Sequence, residues 1–165
     1  MTNRVSGLSD AHASEARRVI LLGVRLLIAH KDHVHYTQDM VKRWEGIHRG
    51  YRIADHDFPH RCDCSSTHSW LLWNALTHVG VHRDLVNGAE WLSGYTGTIA
   101  QHGKRVYRLA NAKVGDAVLY GPGPTFEHVA TYIGGGRVFS HGSEGGPYLL
   151  GVDYRDDRGM MRRSI

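Results

Sequence analysis

The chain contains a cysteine and a histidine whose sequence contexts favour covalent catalysis. Cys64, in the motif Asp63-Cys64-Ser65-Ser66, marks the change from a polar stretch to the helix-like run Trp70 to Val79. The unpaired amides of a first helical turn favour thiolate over thiol. His128 is the best candidate for a base, because it begins a strand-like run that ends in Gly134-Gly135-Gly136. This pair predicts a cysteine nucleophile served by a histidine base.

The turn after His128 decides which residue meets its ring. A two-residue Gly134-Gly135 loop would place His128 opposite His141 on one face, whereas a three-residue loop would bring Ser140 to that face. We predict His141 as the third catalytic residue, because an imidazole accepts the ring proton of His128 and fixes its tautomer better than a hydroxyl does.

Thirteen histidines raise the question of a metal site. Several lie in or near one polar stretch, namely His30, His33, His35, His56 and His60. No His-Glu-x-x-His or Cys-x-x-Cys spacing accompanies them, so solvated loop histidines are expected and neither a metal nor another cofactor is predicted. His68 offers a different base, because it lies one helical turn after Cys64 and its side chain leans toward the thiol.

Length and composition indicate one globular domain. The chain has 165 residues, of which 41% are hydrophobic and 22% charged. A net charge of +4 and a pI near 9.2 favour an anionic polymer as partner, whether cell wall, nucleic acid or membrane surface. Cys62 and Cys64 are separated by one residue, which makes a poor disulfide pair.

Helical patterns precede strand patterns along the chain, which predicts an α+β domain with the sheet packed on the cysteine helix. We expect a helix over about 9–30 with Ser9 as N-cap, a core over about 31–154, and a solvated charged tail over 155–165. Within the core, residues 31–61 read as a long loop with a short helix around 38–44. The cysteine helix stops at Gly80, and a short helix follows near 96–102. The expected strands are 116–120, 128–133, 137–140 and 148–154.

Three motifs in order resemble the NlpC/P60 family of cell-wall cysteine peptidases. They are the Asp-Cys-Ser-Ser helix start, the strand Gly115 to Tyr120, and the hairpin His128 to Gly136. The resemblance covers roughly residues 36–141 and implies a papain-like fold. It further implies that Cys64 is the nucleophile and that His128 takes and returns the proton.

The resemblance also implies a substrate, the peptidoglycan stem peptide, cleaved by an endopeptidase next to D-glutamate. Tyr36 matches a tyrosine that lines the family's substrate site, and Asp63 and Ser65 match residues that contact the peptide's amino terminus. Both are also natural helix N-caps. The chain departs from the family in an expanded stretch before the cysteine and in a gap from His128 to His141 that is one residue longer than usual.

Two other functions fit the same sequence. A CHAP-type N-acetylmuramoyl-L-alanine amidase shares the order of cysteine and histidine but cuts the link between muramic acid and alanine. A non-catalytic basic domain that binds wall polymer would use Cys64 and His128 only for packing.

The N-terminal apolar run also bears on location. Residues 19–29 are interrupted by Arg25, lack a small-residue cleavage site and are too short to span a bilayer. We therefore expect a protein made in the host cytoplasm without a signal peptide that acts on the bacterial cell wall, as a bacteriophage endolysin does. We expect a monomer, with no nucleic-acid partner and no stable membrane insertion.

Overall fold

The N-terminal part is one long helix in a computed structural model that describes residues 7–165. Helix α1 spans Asp10–Ala29, and the Ser9 hydroxyl caps it by accepting from the His12 amide. The prediction of a helix over about 9–30 is confirmed, while residues 1–6 of the predicted domain lie outside the described residues. Within 7–165, none of the helices combines the length and apolarity needed to cross a membrane.

The stretch predicted as a long loop is divided into short elements. Turns of 3₁₀ helix occupy Lys31–His33, Lys42–Trp44 and Ile53–Asp55, and helix α2 spans Glu45–His48. Two short strands, β1 (His35–Tyr36) and β2 (Arg61–Cys62), pair in parallel so that Tyr36 is the partner of Cys62. This pairing places Tyr36 beside the residues that directly precede the cysteine helix.

Helix α3, Cys64–His78, begins at the predicted nucleophile and packs between α1 and the sheet. A capping box closes its start, in which the Asp63 carboxylate accepts from the Ser66 amide and the Ser66 hydroxyl from the Asp63 amide. The helix is buried on nearly all sides, which accounts for its weak amphipathic pattern. A shorter helix, α4, follows at Thr96–Gln101.

The second half forms an antiparallel sheet of six strands in the order β3-β8-β4-β5-β6-β7. Alternate residues face α1 and α3 on one side, including Ala117, Leu119, Val129 and Phe139. The others form a second cluster on the far side, including Val118, Tyr120, Ala130 and Val138. The predicted α+β architecture is confirmed. The strands are β3 (Lys104–Arg105), β4 (Ala117–Tyr120), β5 (His128–Gly134), β6 (Arg137–Gly142), β7 (Gly145–Gly151) and β8 (Arg158–Arg163).

The charged tail is a strand inside the sheet, so the prediction of a solvated end is wrong. Strand β8 lies between β3 and β4 and buries Met161 in the far-side cluster. Its arginines make internal contacts: Arg163 pairs with Asp116 at 2.7 Å, and Arg162 donates to the Ala100 carbonyl at 2.6 Å. Ladder hydrogen bonds come from the backbone, so a charged sequence can occupy an inner strand when its cations find acceptors.

The glycine turn sets the register of β5 and β6. Gly134 pairs with Arg137, which leaves Gly135 and Gly136 as the loop, and a bulge follows Tyr132. Beyond the bulge Thr131 is the partner of Phe139. Because partners share a face, this register places Ser140 on the same face as His128 and His141 on the opposite one.

Candidate active site

Cys64 is the first residue of α3 and is 9% exposed. Its sulfur accepts hydrogen bonds from two backbone amides, Val129 on β5 and Ser65 in its own helix. Val129 directly follows His128, so the start of α3 and the backbone of β5 meet at the sulfur.

The surroundings of Cys64 in the folded protein oppose the thiolate that the helix start is expected to favour. Burial raises its pKa to about 12, and the Asp63 carboxylate acts in the same direction. The amides of Val129 and Ser65 oppose this effect without overcoming it. The partial charge of a helix start is worth about 1 kcal/mol, whereas removing an ion from water costs several kcal/mol.

His128 begins β5 and is 4% exposed. Its Nε2 atom lies 2.9 Å from the Ser140 hydroxyl, and the Tyr120 ring lies beside the imidazole with centroids 6.0 Å apart. Burial lowers the His128 pKa, while the nearby Glu144 carboxylate works against that shift. Burial therefore favours a neutral His128 imidazole, which Ser140 holds at Nε2.

Ser140, rather than His141, meets the ring of His128, so the predicted pairing of the two histidines is wrong. His141 is 2% exposed and faces the helical side of the sheet, where its ring meets Tyr36 edge-on at 5.8 Å. Burial lowers the His141 pKa, while hydrogen bonds to the backbones of His35 and Cys62 act in the opposite direction. The bulge and the placement of the glycine loop, which sequence does not specify, shifted the register by one residue.

Sequence reasoning missed two residues behind Ser140. The Ser140 hydroxyl donates to the Glu144 carboxylate at 2.9 Å, and the Tyr154 hydroxyl donates to the same oxygen at 3.3 Å. Glu144 lies in the β6–β7 turn and Tyr154 follows β7. A serine at the family's spacing from His128 was the available signal for Ser140, but no sequence signal indicated Glu144 or Tyr154.

Tyr36 lies where a substrate-lining residue is expected. It is partly buried, and its hydroxyl accepts from the Gln38 amide at 2.9 Å. Its pKa is raised first by burial and then by the charge that Cys64 would carry as a thiolate. The phenol therefore shares the electrostatic environment of the sulfur.

The side chains of Asp63 and Ser65 make hydrogen bonds within the protein. Asp63 caps α3 and accepts from the Ser65 hydroxyl at 3.0 Å, while its other oxygen pairs with Arg43 at 2.8 Å. The side chains of Arg43 and Asp63 are only 8% and 7% exposed. Arg43 also donates to the Gly94 carbonyl, so this buried arginine, which sequence reasoning missed, anchors the preceding segment to the helix start.

The remaining histidines take other positions. His68 is fully buried and its Nδ1 bonds the Thr131 hydroxyl at 2.8 Å, so this nitrogen is occupied by β5. Burial lowers the His68 pKa to about 3. His30 and His60 pack on Phe58. In the part of the chain that the structure describes, no three His, Cys, Asp or Glu side chains converge as a metal-ligand cluster.

Comparison with solved structures places the fold. Two NlpC proteins of Trichomonas vaginalis, NlpC2 and NlpC1, match with TM-scores of 0.56 and 0.55, both at 14% identity over 99% of this chain. This chain spans about half of their length, 50% and 48% respectively. The P60 domain of an antigen from M. avium subspecies paratuberculosis matches with a TM-score of 0.53 and 21% identity, covering 91% of this chain and 97% of that one. No protein-family model matches the sequence, and no curated protein does. The structure therefore has the fold of NlpC/P60 domains.

Proposed function

We propose that this chain, whose fold is that of NlpC/P60 domains, is a thiol peptidase that hydrolyses an amide bond in the stem peptide of peptidoglycan. The observation that carries the proposal is the meeting of Cys64, at the start of α3, with the β5 backbone directly after His128. The NlpC and P60 names of the structural neighbours support the substrate class. Cleavage next to D-glutamate, in the setting of a bacteriophage endolysin, is the specific form proposed.

Attack begins from a neutral pair. The raised pKa of Cys64 and the lowered pKa of His128 both disfavour a resting thiolate and imidazolium pair. As sulfur bonds to the substrate carbonyl carbon, its proton passes to His128 Nδ1, the ring nitrogen that Ser140 leaves free. The amide of Cys64, in the first helical turn, has no carbonyl partner within its own helix and is positioned to stabilise the oxyanion.

Breakdown of the tetrahedral intermediate breaks the carbon–nitrogen bond, and His128 returns the proton to the leaving amine. The acyl group then remains on Cys64 as a thioester. Water attacks this thioester while His128 accepts one of its protons, and the proton then restores the thiol. Tyr36 lines the acyl side of the cleft in this proposal, and Asp63 and Ser65 shape it through their contacts with Arg43.

Replacing the nucleophile tests the proposal. The Cys64→Ala variant is expected to release no muropeptides from purified bacterial cell wall, because no other side chain replaces the sulfur at the helix start. Mass spectrometry of the soluble fragments measures this and identifies the bond that the parent protein cuts.

The matched control is Cys62→Ala, which removes a second buried thiol two residues away. It is expected to retain cleavage, because β2 buries Cys62 and holds it in the pairing with β1. Release of the same fragments by Cys64→Ala would refute the thiol mechanism. Fragments cut between muramic acid and alanine would assign the activity to an amidase instead.

A further inference from the structure

The hydrogen bonds behind His128 have a direction. A carboxylate only accepts hydrogen bonds, so the Ser140 hydroxyl must give its single proton to Glu144 Oε1, 2.9 Å away. The same oxygen of Ser140 can then only accept at its contact with His128 Nε2, 2.9 Å away. The proton of neutral His128 is therefore placed on Nε2, which leaves Nδ1 unprotonated.

The turn between β6 and β7 is shaped to hold Glu144 at this position. Gly142 pairs with Gly145, and Glu144 lies in the turn between them. A Cβ atom at Gly142 would lie 2.3 Å from Glu144 Oε2 and 2.8 Å from His128 Cε1. Only a residue without a side chain lets the carboxylate and the imidazole approach here, and the distance from His128 Nε2 to Glu144 Oε1 is 3.8 Å.

Glu144 carries a charge at neutral pH. Burial opposes its ionisation, but hydrogen bonds from its own backbone amide and from Ser140, together with the charge that His128 carries when protonated, lower its pKa. The Tyr154 hydroxyl donates to the same oxygen that Ser140 does. Other charged groups face His128 as well: Arg155 and His141 lower its pKa, and Asp157 raises it.

We propose that Glu144 is a positioning residue that acts through Ser140 to hold His128 in the tautomer able to accept the Cys64 proton. This inference rests on the proposed thiol and imidazole chemistry. An imidazolium formed during attack would donate from Nε2 to Ser140, and the Glu144 charge stabilises it through that hydroxyl. A carboxylate that contacts the histidine through a serine thus fixes its tautomer and stabilises its imidazolium, as a directly bonded carboxylate would.

The Glu144→Gln variant tests the inference without any wall substrate. A glutamine amide can donate to Ser140, which frees the hydroxyl proton to point at Nε2 and selects the opposite tautomer of His128. The pH-dependent rate of Cys64 alkylation by iodoacetamide, followed by mass spectrometry of the Cys64 peptide, is expected to fall at pH 7. The loss should reach up to about 100-fold, the lower end for a general-base contribution.

A spectroscopic readout separates tautomer control from a structural role. In ¹⁵N-histidine NMR spectra, His128 of the parent protein is expected to be protonated at Nε2, and in Glu144→Gln to gain the Nδ1-protonated form. The matched control, Glu127→Gln, removes the same charge from an exposed glutamate beside His128 whose carboxylate pairs with Arg155 at 3.4 Å. It is expected to change neither the tautomer nor the alkylation rate.

Two further variants keep the outcomes distinct. In a Ser140→Ala background, Glu144→Gln is expected to cause no further loss, because the hydroxyl that links the carboxylate to the ring is gone. If Cys64 is alkylated slowly in His128→Ala but at the parent rate in Glu144→Gln, the role of Glu144 is refuted while the proposed thiol and imidazole chemistry stands. Parent-like alkylation of His128→Ala would overturn the proposed thiol and imidazole chemistry, and the inference with it.

Discussion

At the scale of single residues, burial outweighs the local electrostatic effects that sequence motifs suggest. Cys64 has the helix start and two amide donors that favour a thiolate, yet desolvation raises its pKa to about 12. His128 is shifted in the opposite direction for the same reason. In the proposed mechanism both groups start neutral, so the proton moves during attack and the orientation of the imidazole matters more than a preformed ion pair.

Burial of His68 makes the stability of the fold depend on pH. Its pKa falls from 6.5 to about 3 in the folded protein, so the unfolded chain binds the proton more tightly. The stability that comes from burying neutral His68 is fully present above pH 6.5 and is lost as the pH falls toward 3. In that range the free energy of unfolding decreases with a slope approaching about 1.4 kcal/mol per pH unit. Urea unfolding across this range is expected to show a shallower slope for His68→Gln than for the parent.

The control for this prediction is His33→Gln, which makes the same change at an exposed histidine in a 3₁₀ turn. Its pH profile should follow that of the parent. An unaltered slope in His68→Gln would mean that other groups produce the acid sensitivity.

At the scale of elements, the start of α3 is a structural junction as well as the position of the proposed nucleophile. Asp63 caps the helix, while Arg43 ties the 3₁₀ turn Lys42–Trp44 to it through a buried ion pair. Asp63 and Ser65 were predicted to contact substrate, and their observed partners within the protein indicate that they fix the geometry in which Cys64 is presented.

Removing the Asp63 carboxylate is expected to destabilise the fold strongly. Asp63→Ala would leave the Arg43 guanidinium buried without its counter-ion, a cost of roughly 3–5 kcal/mol in the free energy of unfolding. Urea denaturation measures this loss. Combining Asp63→Asn with Arg43→Met should recover part of it, because the uncompensated charge is then gone.

Asp39→Ala is a matched control at an exposed turn, where the carboxylate caps the amides of Val41 and Lys42. Its cost is expected to be about 1 kcal/mol. Equal losses at both aspartates would show that helix capping, rather than the buried ion pair, dominates at Asp63.

At the scale of the whole molecule, the end of the chain completes the sheet that supports the site. Strand β8 pairs with β4, and β4 pairs with β5, the strand that carries His128. Arg163 of β8 also holds Asp116, directly before β4. The position of His128 therefore depends on residues that follow it by about thirty positions and look like a solvated tail.

Met161 provides the stability test of this role. Met161→Ala is expected to lower the free energy of unfolding by about 2–5 kcal/mol, the usual cost of deleting a buried methionine side chain. Met40→Ala is the matched control, because Met40 is 73% exposed and its replacement should change stability by less than about 0.5 kcal/mol. Similar melting curves for the two variants would contradict a packed β8.

The sequence by itself determined the elements whose signals are local. The cap at Ser9, the Asp63-Cys64-Ser65-Ser66 helix start and the glycine stop after α3 act over one helical turn, and α1 and α3 lie where these signals predict. Alternating apolar residues likewise located β4, β5 and β6 within two residues of their predicted ends. Cys64 and His128 are predicted from motifs in these segments, whereas Tyr36 is predicted from the family resemblance alone.

Only the tertiary structure decided which side chains meet. A bulge of one residue near Tyr132 exchanged His141 for Ser140 beside His128, because each single-residue shift along a strand reverses its faces. Glu144, Arg43 and the whole of β8 reach the site through contacts between segments far apart in the chain. The charge state of Cys64 was decided in the same way, since burial is a property of everything packed around a residue rather than of its neighbours in sequence.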